Sequence, residues 1–312
     1  MKLTDSYGRT IKKLRISVTD TCNMRCLYCM PLDQKFMNED QFLTLEEYEN
    51  ILPELKDLGV EEIRITGGEP LLNPRFKEIT SIISRFGFKK IGLTTNGILL
   101  ERFIHFLKEK KVFSLNISLD SLEDRTFKKI THTDQLQLIL KNIKNATSLG
   151  FQVKINMVVM KGINDHEILN FVDFASSEGI EVRFLELMRI GYACKIQEDN
   201  FISSKDVMEV IESKYQLKKI TDSYDSTSKN FVTNNGAVIG FISSESQPFC
   251  GNCSRWRLSA EGMLKSCLLK EDGISLKNLT KQERMQVYQE SLHMKPYRRP
   301  FEVAHIMNTI GG

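Results

Sequence analysis

Six times before residue 200, a short run rich in β-branched residues gives way to a segment whose apolar residues recur at helical spacing. No other feature limits the fold as strongly. A strand followed by a helix returns to its sheet as a parallel neighbour through a right-handed crossover. The expected strands are LRISVT, EEIRIT, KKIGLTT, FSLNISL, QVKINMVVM and EVRFLEL. Between the first two, Thr44 and Glu47 form a capping-box pair ahead of a stripe of Leu45, Tyr48, Leu52, Leu55 and Leu58, with a kink predicted at Pro53. Phe76, Ile79, Ile83 and Phe86 repeat the spacing, as do segments 99–110, 135–149 and 166–178. A chain of 312 residues that is 41% apolar can bury the core this demands, as one large domain or two smaller ones.

Strand parity says what the sheet encloses. If Leu14, Ile16 and Val18 face the helices, Arg15 and Ser17 face the other way. The same parity turns Arg64 and Thr66, Lys154 and Asn156, and the row Ser114, Asn116, Ser118 and Asp120 to that second face. A small closed barrel fills its lumen with branched apolar side chains. Cations and hydroxyls pointing inward therefore imply an open or wide α/β barrel, a partial (βα)6 arrangement, around a polar, anionic guest. A half-exposed sheet with one wet face is the other reading. Past residue 200 the pattern changes: SSKDVMEVIESKY reads as a helix, DSYDSTSKN as a polar loop, and GAVIGFISS and SRWRLSAEGMLKSCL as short strands with a glycine turn. Residues 1–200 are expected to form the barrel and 201–312 a smaller α+β domain.

Lys and Arg number 43 against 40 Asp and Glu, a net charge of +3 that does not mark a nucleic-acid binder, so any anion site is local. MKLTDSYGRT lacks the apolar core of a secretory signal and no run reaches the length of a membrane span, so a soluble cytoplasmic protein is expected, with no membrane partner. Seven cysteines in a reducing compartment do not make a disulfide framework. They fall as Cys22, Cys26 and Cys29, then Cys194 alone, then Cys250, Cys253 and Cys267. Cys194 is assigned to packing. The five histidines show no ligand spacing.

The first set, C-x3-C-x2-C, follows directly on a strand, at the rim where parallel barrels carry their chemistry. Three thiolates in so short a loop can hold three corners of a 4Fe-4S cube and leave the fourth iron open. The second set, C-x2-C-x13-C, has Arg255 and Arg257 behind it. A structural zinc site explains the second set as well, since C-x2-C is common in zinc ribbons. A plain electron-transfer protein would carry clusters but has no use for a cationic lumen.

With Tyr28 before its third cysteine and TGGEP at 66–70 one unit later, the chain resembles the radical S-adenosylmethionine superfamily. From YGRTIKKLRISVTD through TTNG, SLDSL, KGIND and LELM to the terminal Gly311-Gly312, it is similar to the GTP-cyclising family that opens molybdenum cofactor biosynthesis. That resemblance implies two 4Fe-4S clusters, on Cys22, Cys26 and Cys29 and on Cys250, Cys253 and Cys267. It implies S-adenosylmethionine bound by the open iron of the first, and GTP bound by that of the second. Tyr28, Gly68, Ser118 and Met188 would touch S-adenosylmethionine; Arg15, Arg64, Thr95, Lys154, Arg255 and Arg257 would touch GTP; and Arg15, Arg257 and the first three cysteines would count as catalytic. The implied reaction begins with a 5'-deoxyadenosyl radical that takes hydrogen from ribose C3', after which C3' attacks guanine C8 to give (8S)-3',8-cyclo-7,8-dihydroguanosine 5'-triphosphate. An external electron donor is required, and a homodimer and hand-over to the next enzyme stay open. A related enzyme acting on a peptide or another small molecule is the alternative within the superfamily. The glycine tail is expected to enter the site. Asn73 and Arg189 depart from the family pattern, which usually has a basic residue and a proline there.

Overall fold

The computed structural model describes residues 2–300, 304 and 307–311. Strands β1 (Lys13–Ser17), β2 (Glu62–Thr66), β3 (Lys90–Thr95), β4 (Ser114–Ser118), β5 (Gln152–Val159) and β6 (Glu181–Glu186) lie side by side in chain order. Every pairing between them is parallel, with Arg15 opposite Arg64 and Asn156 opposite Arg183. Helices α1 (Leu45–Asp57), α2 (Phe76–Arg85), α3 (Leu100–Glu109), α4 (Asp124–Thr131), α5 (Leu136–Ser148) and α6 (Ile168–Glu178) fill the crossovers. The capping box of Thr44 and Glu47 starts α1. Pro53, where a kink was expected, lies inside the helix, which runs on to Asp57.

The remaining elements are α7 (Gln197–Asn200), α8 (Ser204–Glu212), β7 (Leu217–Lys219), β8 (Lys229–Thr233), β9 (Val238–Ile242), β10 (Arg255–Leu258), β11 (Met263–Lys265), β12 (Ile274–Ser275), α9 (Lys281–His293) and α10 (Met307–Ile310). The strands among them make no separate sheet. β10 pairs parallel with β1 and β9 parallel with β6, and the rest extend each edge antiparallel, giving one twelve-stranded sheet.

The predicted parity is visible in burial. Leu14, Ile16, Ile63, Ile65, Val153 and Ile155 are buried in the single main core under the helices, while Arg15, Arg64, Lys154 and Asn156 turn to the concave face. The sheet curls on itself without closing as a ladder. The loop between β7 and β8 spans the gap: Asp225 accepts from Lys13 Nζ on β1 at 2.9 Å and from Ser254 Oγ just before β10 at 2.5 Å.

Candidate active site

One cavity of about 310 Å³ occupies the concave face, and all six cysteines of the two triads line it. The first triad sits on the loop after β1. Arg25 N–H and Leu27 N–H donate to Thr131 O and Ile130 O at 3.0 Å each, so the cysteine loop satisfies carbonyls that the end of α4 leaves without helical partners. The TGGEP turn after β2 presses against the same loop. Gly68 N–H donates to Thr19 O at 2.7 Å and Glu69 N–H to Thr21 O at 2.8 Å. A Cβ on Gly68 would lie 2.5 Å from Thr21 O and in collision with Asp20 O, which is why a residue without a side chain stands there.

The donor chemistry fits a metal cluster at each triad. Burial pushes the Cys22 and Cys29 thiols up to about 11 and about 12, and Cys26 well above its ordinary value, with Glu69 a further cause at Cys22, Asp120 and the other two sulfurs at Cys26, and Cys22 and Asp120 at Cys29. Such a group is unfavourable as bare thiolates and needs a multivalent cation to hold the charge. In the second triad burial and mutual repulsion likewise raise Cys250 and Cys267. At Cys253 the cations Lys295 and Arg255 outweigh burial and bring the thiol down to about 7.

Arg15 is half-buried, and its pKa is lowered well below the usual guanidinium range by desolvation and then by Arg257, Arg255, Arg64 and Arg183. All four of those charges are positive, so the concave face awaits an anion. Arg257 stands opposite Arg15 across the β1–β10 pairing, and burial brings it down to about 10. Arg255 holds the carbonyl of Asp225 and reaches Cys253 Sγ at 3.8 Å.

Not every residue singled out from sequence reaches the cavity wall. Tyr28, Gly68, Thr95, Ser118, Met188, Arg15, Arg255 and Arg257 do. Arg64 and Lys154 do not. Arg64 passes over Gly92, whose Cβ would lie 2.6 Å from the guanidinium, and donates to Leu93 O, Ser114 O and Ser114 Oγ at 3.1–3.2 Å. Lys154 is held at 2.5 Å by Glu181, which also takes Arg183 Nε at 2.5 Å. Thr95 lines the cavity with its hydroxyl already donated to Glu69 at 2.8 Å.

Several lining or supporting groups were given no role from the sequence. Arg183 lines the cavity; the inward parity of β6 was the signal for it. Asp120 accepts from Tyr28 Oη at 2.8 Å and from Val158 N–H at 2.8 Å, and lines the same space. Lys295 touches the second triad from a segment with no sequence signature.

The tail does enter. Gly311 is buried, with a Cβ there 2.6 Å from Thr66 Cγ2, and its carbonyl accepts from Arg257, while Asn308 Nδ2 donates to Asp20 O at 2.9 Å. Gly312 lies outside the described residues. The two departures have local uses. Asn73 bridges Val18 O and Arg75 N–H at 2.5 and 2.7 Å, and Arg189 N–H donates to Glu245 Oε1 at 2.9 Å, a bond that proline lacks the hydrogen to make.

Comparison with known proteins agrees with this geometry. Residues 16–175 match the Radical SAM superfamily and residues 180–301 match Molybdenum Cofactor Synthesis C. The chain is 53% identical to a GTP 3',8-cyclase of Synechocystis over 99% of its own length and 95% of the relative's. It is 37% identical to a GTP 3',8-cyclase of Pseudomonas putida, over 99% and 98%. Among solved structures, Streptococcus suis SuiB bound to precursor peptide SuiA superposes with a TM-score of 0.68 at 16% identity, over 91% of this chain and 66% of that longer one. That likeness shows the shared fold.

Proposed function

The chain belongs to the radical S-adenosylmethionine superfamily and, within it, to the GTP 3',8-cyclase family, and from this premise we propose that the cavity on the concave face seats both reactants, S-adenosylmethionine over the first triad and GTP over the second. The observation that carries this reading is two triads, each one ligand short of a saturated cubane, facing a single cavity that is lined with arginine. Cys22, Cys26 and Cys29 would hold one 4Fe-4S cluster and Cys250, Cys253 and Cys267 the other. When bound, the first cluster and S-adenosylmethionine supply the 5'-deoxyadenosyl radical that removes hydrogen from ribose C3'.

The protein's share is binding and orientation. Tyr28, Gly68, Ser118 and Met188 line the cavity and are assigned to S-adenosylmethionine. Tyr28 is fixed there by Asp120. Arg15, Arg255 and Arg257 are assigned to GTP, with Arg257 exchanging the Gly311 carbonyl for a ligand oxygen. Arg64 and Lys154 act through charge from the floor of the barrel, and Thr95 acts through its bond to Glu69. No side chain is required as acid or base for the first hydrogen removal. The chain's own segments divide at about residue 200, with 1–200 forming the barrel and 201–312 carrying the second triad and the tail.

Among the described residues no helix is long and apolar enough to cross a membrane. We assign the enzyme to the cytoplasm, where its thiols stay reduced and an external one-electron donor is at hand.

Anaerobic reconstitution tests the assignment. About eight irons are expected, in two four-iron clusters, with GTP consumed only when S-adenosylmethionine and a strong reductant are both present. Intact GTP alongside accumulating 5'-deoxyadenosine would reject the substrate, and recovery of zinc would reject the chemistry.

A further inference from the structure

The two triads meet unequal charge. Beside the first, Arg25 spends its guanidinium on the carbonyls of Cys22 and Met24, at 2.7 and 3.0 Å, and none of its described bonds goes to sulfur. The carboxylate of Asp120 lines the cavity nearby. Beside the second, the Lys295 side chain is almost sealed from water, at 3% exposure for the residue. Its Nζ donates to Cys253 Sγ at 3.5 Å, Arg255 O at 2.7 Å and Ser266 O at 2.9 Å. One ammonium therefore fastens the cysteine of the Cys250–Cys253 turn, the strand that follows it, and the residue before Cys267.

Of those three acceptors only the sulfur can carry a negative charge. A buried ammonium without a counter-charge is costly, and a neutral thiol offers none. A metal-bound thiolate keeps its charge at any ordinary pH. Adding an electron to an iron-sulfur cluster adds one negative charge, and a fixed cation donating to a ligand sulfur favours that reduced state.

We propose that Lys295 is the positioning residue of the second triad, and that its hydrogen bond to Cys253 gives the cluster held there a higher reduction potential than the cluster on the first triad. This rests on the reading that both triads hold clusters.

The test is an anaerobic redox titration of the reconstituted protein followed by electron paramagnetic resonance. A variant with Cys22→Ala, Cys26→Ala and Cys29→Ala isolates the second cluster's signal. In the unaltered protein the second midpoint should lie above the first. Lys295→Met should move the second midpoint to a more negative value and leave the first in place, and Lys295→Arg should recover part of the shift. An equal or reversed order in the unaltered protein, or an unmoved second midpoint in a Lys295→Met protein that keeps its iron, overturns the proposal. If Lys295→Met sheds iron from the second triad alone and Lys295→Arg retains it, the positioning role is supported and the order of midpoints in the unaltered protein decides the rest. Absence of iron at the second triad of the unaltered protein would instead overturn the two-cluster reading.

Discussion

Glu69 shows how one side chain can serve the site without touching a reactant. It is fully buried and accepts from Leu71 N–H, Thr95 Oγ and Asn96 N–H at 3.0, 2.8 and 2.7 Å, locking the turn after β2 to the end of β3. Burial outweighs those bonds and raises its pKa from 4.5 to about 7. Between those values the folded chain binds the proton and the unfolded chain has released it, so this group makes stability fall as pH rises through that window. Below about 4.5 its contribution is fully present, and above about 7 it is lost. Glu69→Gln cannot titrate. Across the window the unaltered protein should lose on the order of 3 kcal/mol more than the variant. Urea unfolding at several pH values checks this, and parallel slopes for the two proteins would show that Glu69 titrates normally.

At the scale of elements, the joint between the barrel and the C-terminal helix is held by a buried ion pair. Glu54 on α1 receives Arg284 of α9 through two bonds, at 2.7 and 3.0 Å, and Tyr288 Oη at 2.9 Å. Each partner is nine-tenths or more buried. Trp256 of β10 packs beneath, its ring 6.4 Å from that of Tyr288. Removing one member strands the other charge away from water, which costs about 3–5 kcal/mol. Glu54→Ala should therefore lower the thermal midpoint strongly, and Glu54→Ala combined with Arg284→Met should restore much of it because no charge is then left unpaired. Differential scanning calorimetry distinguishes this from simple cavity formation, in which the double variant would be the worse of the two. The strand from Arg255 to Leu258 rests on this joint, so its loosening should also reach the second triad.

Over the whole molecule the charge layout forms a cationic floor in which Glu181 sits between two of the cations. Arg64, Lys90, Lys154 and Arg183 repel one another, and burial and that repulsion lower the first three. Glu181 joins Lys154 and Arg183, and those two cations outweigh burial and hold its carboxyl below the usual range. A polyphosphate entering the cavity competes with Glu181 for Arg183, which lines it. Glu181→Gln should accordingly tighten GTP binding by roughly three- to tenfold and leave guanosine unaffected. Equilibrium binding to the anaerobically reconstituted protein reads both. Weaker GTP binding would mean that Glu181 chiefly holds the cations in place.

The order of strands and helices was legible because hydrophobic periodicity is local, and the inward turn of Arg15, Ser17, Asn116 and Ser118 followed from strand parity alone. The cysteine spacings likewise marked out the two triads that line the cavity. What local pattern could not carry was which inward groups meet. Parallel pairing of β10 with β1 sets Arg257 against Arg15 across more than two hundred residues, and so brings the second triad to the first. The same parity that turned Arg64 and Lys154 inward could not say that Ser114 and Glu181 would hold them off the cavity wall, because that depends on height along the barrel. Lys295 has no motif at all. Its role exists only once the turn at Cys253, the strand at Arg255 and the chain at Ser266 converge on one ammonium, since a buried charge is satisfied by neighbours in space and not by neighbours in sequence.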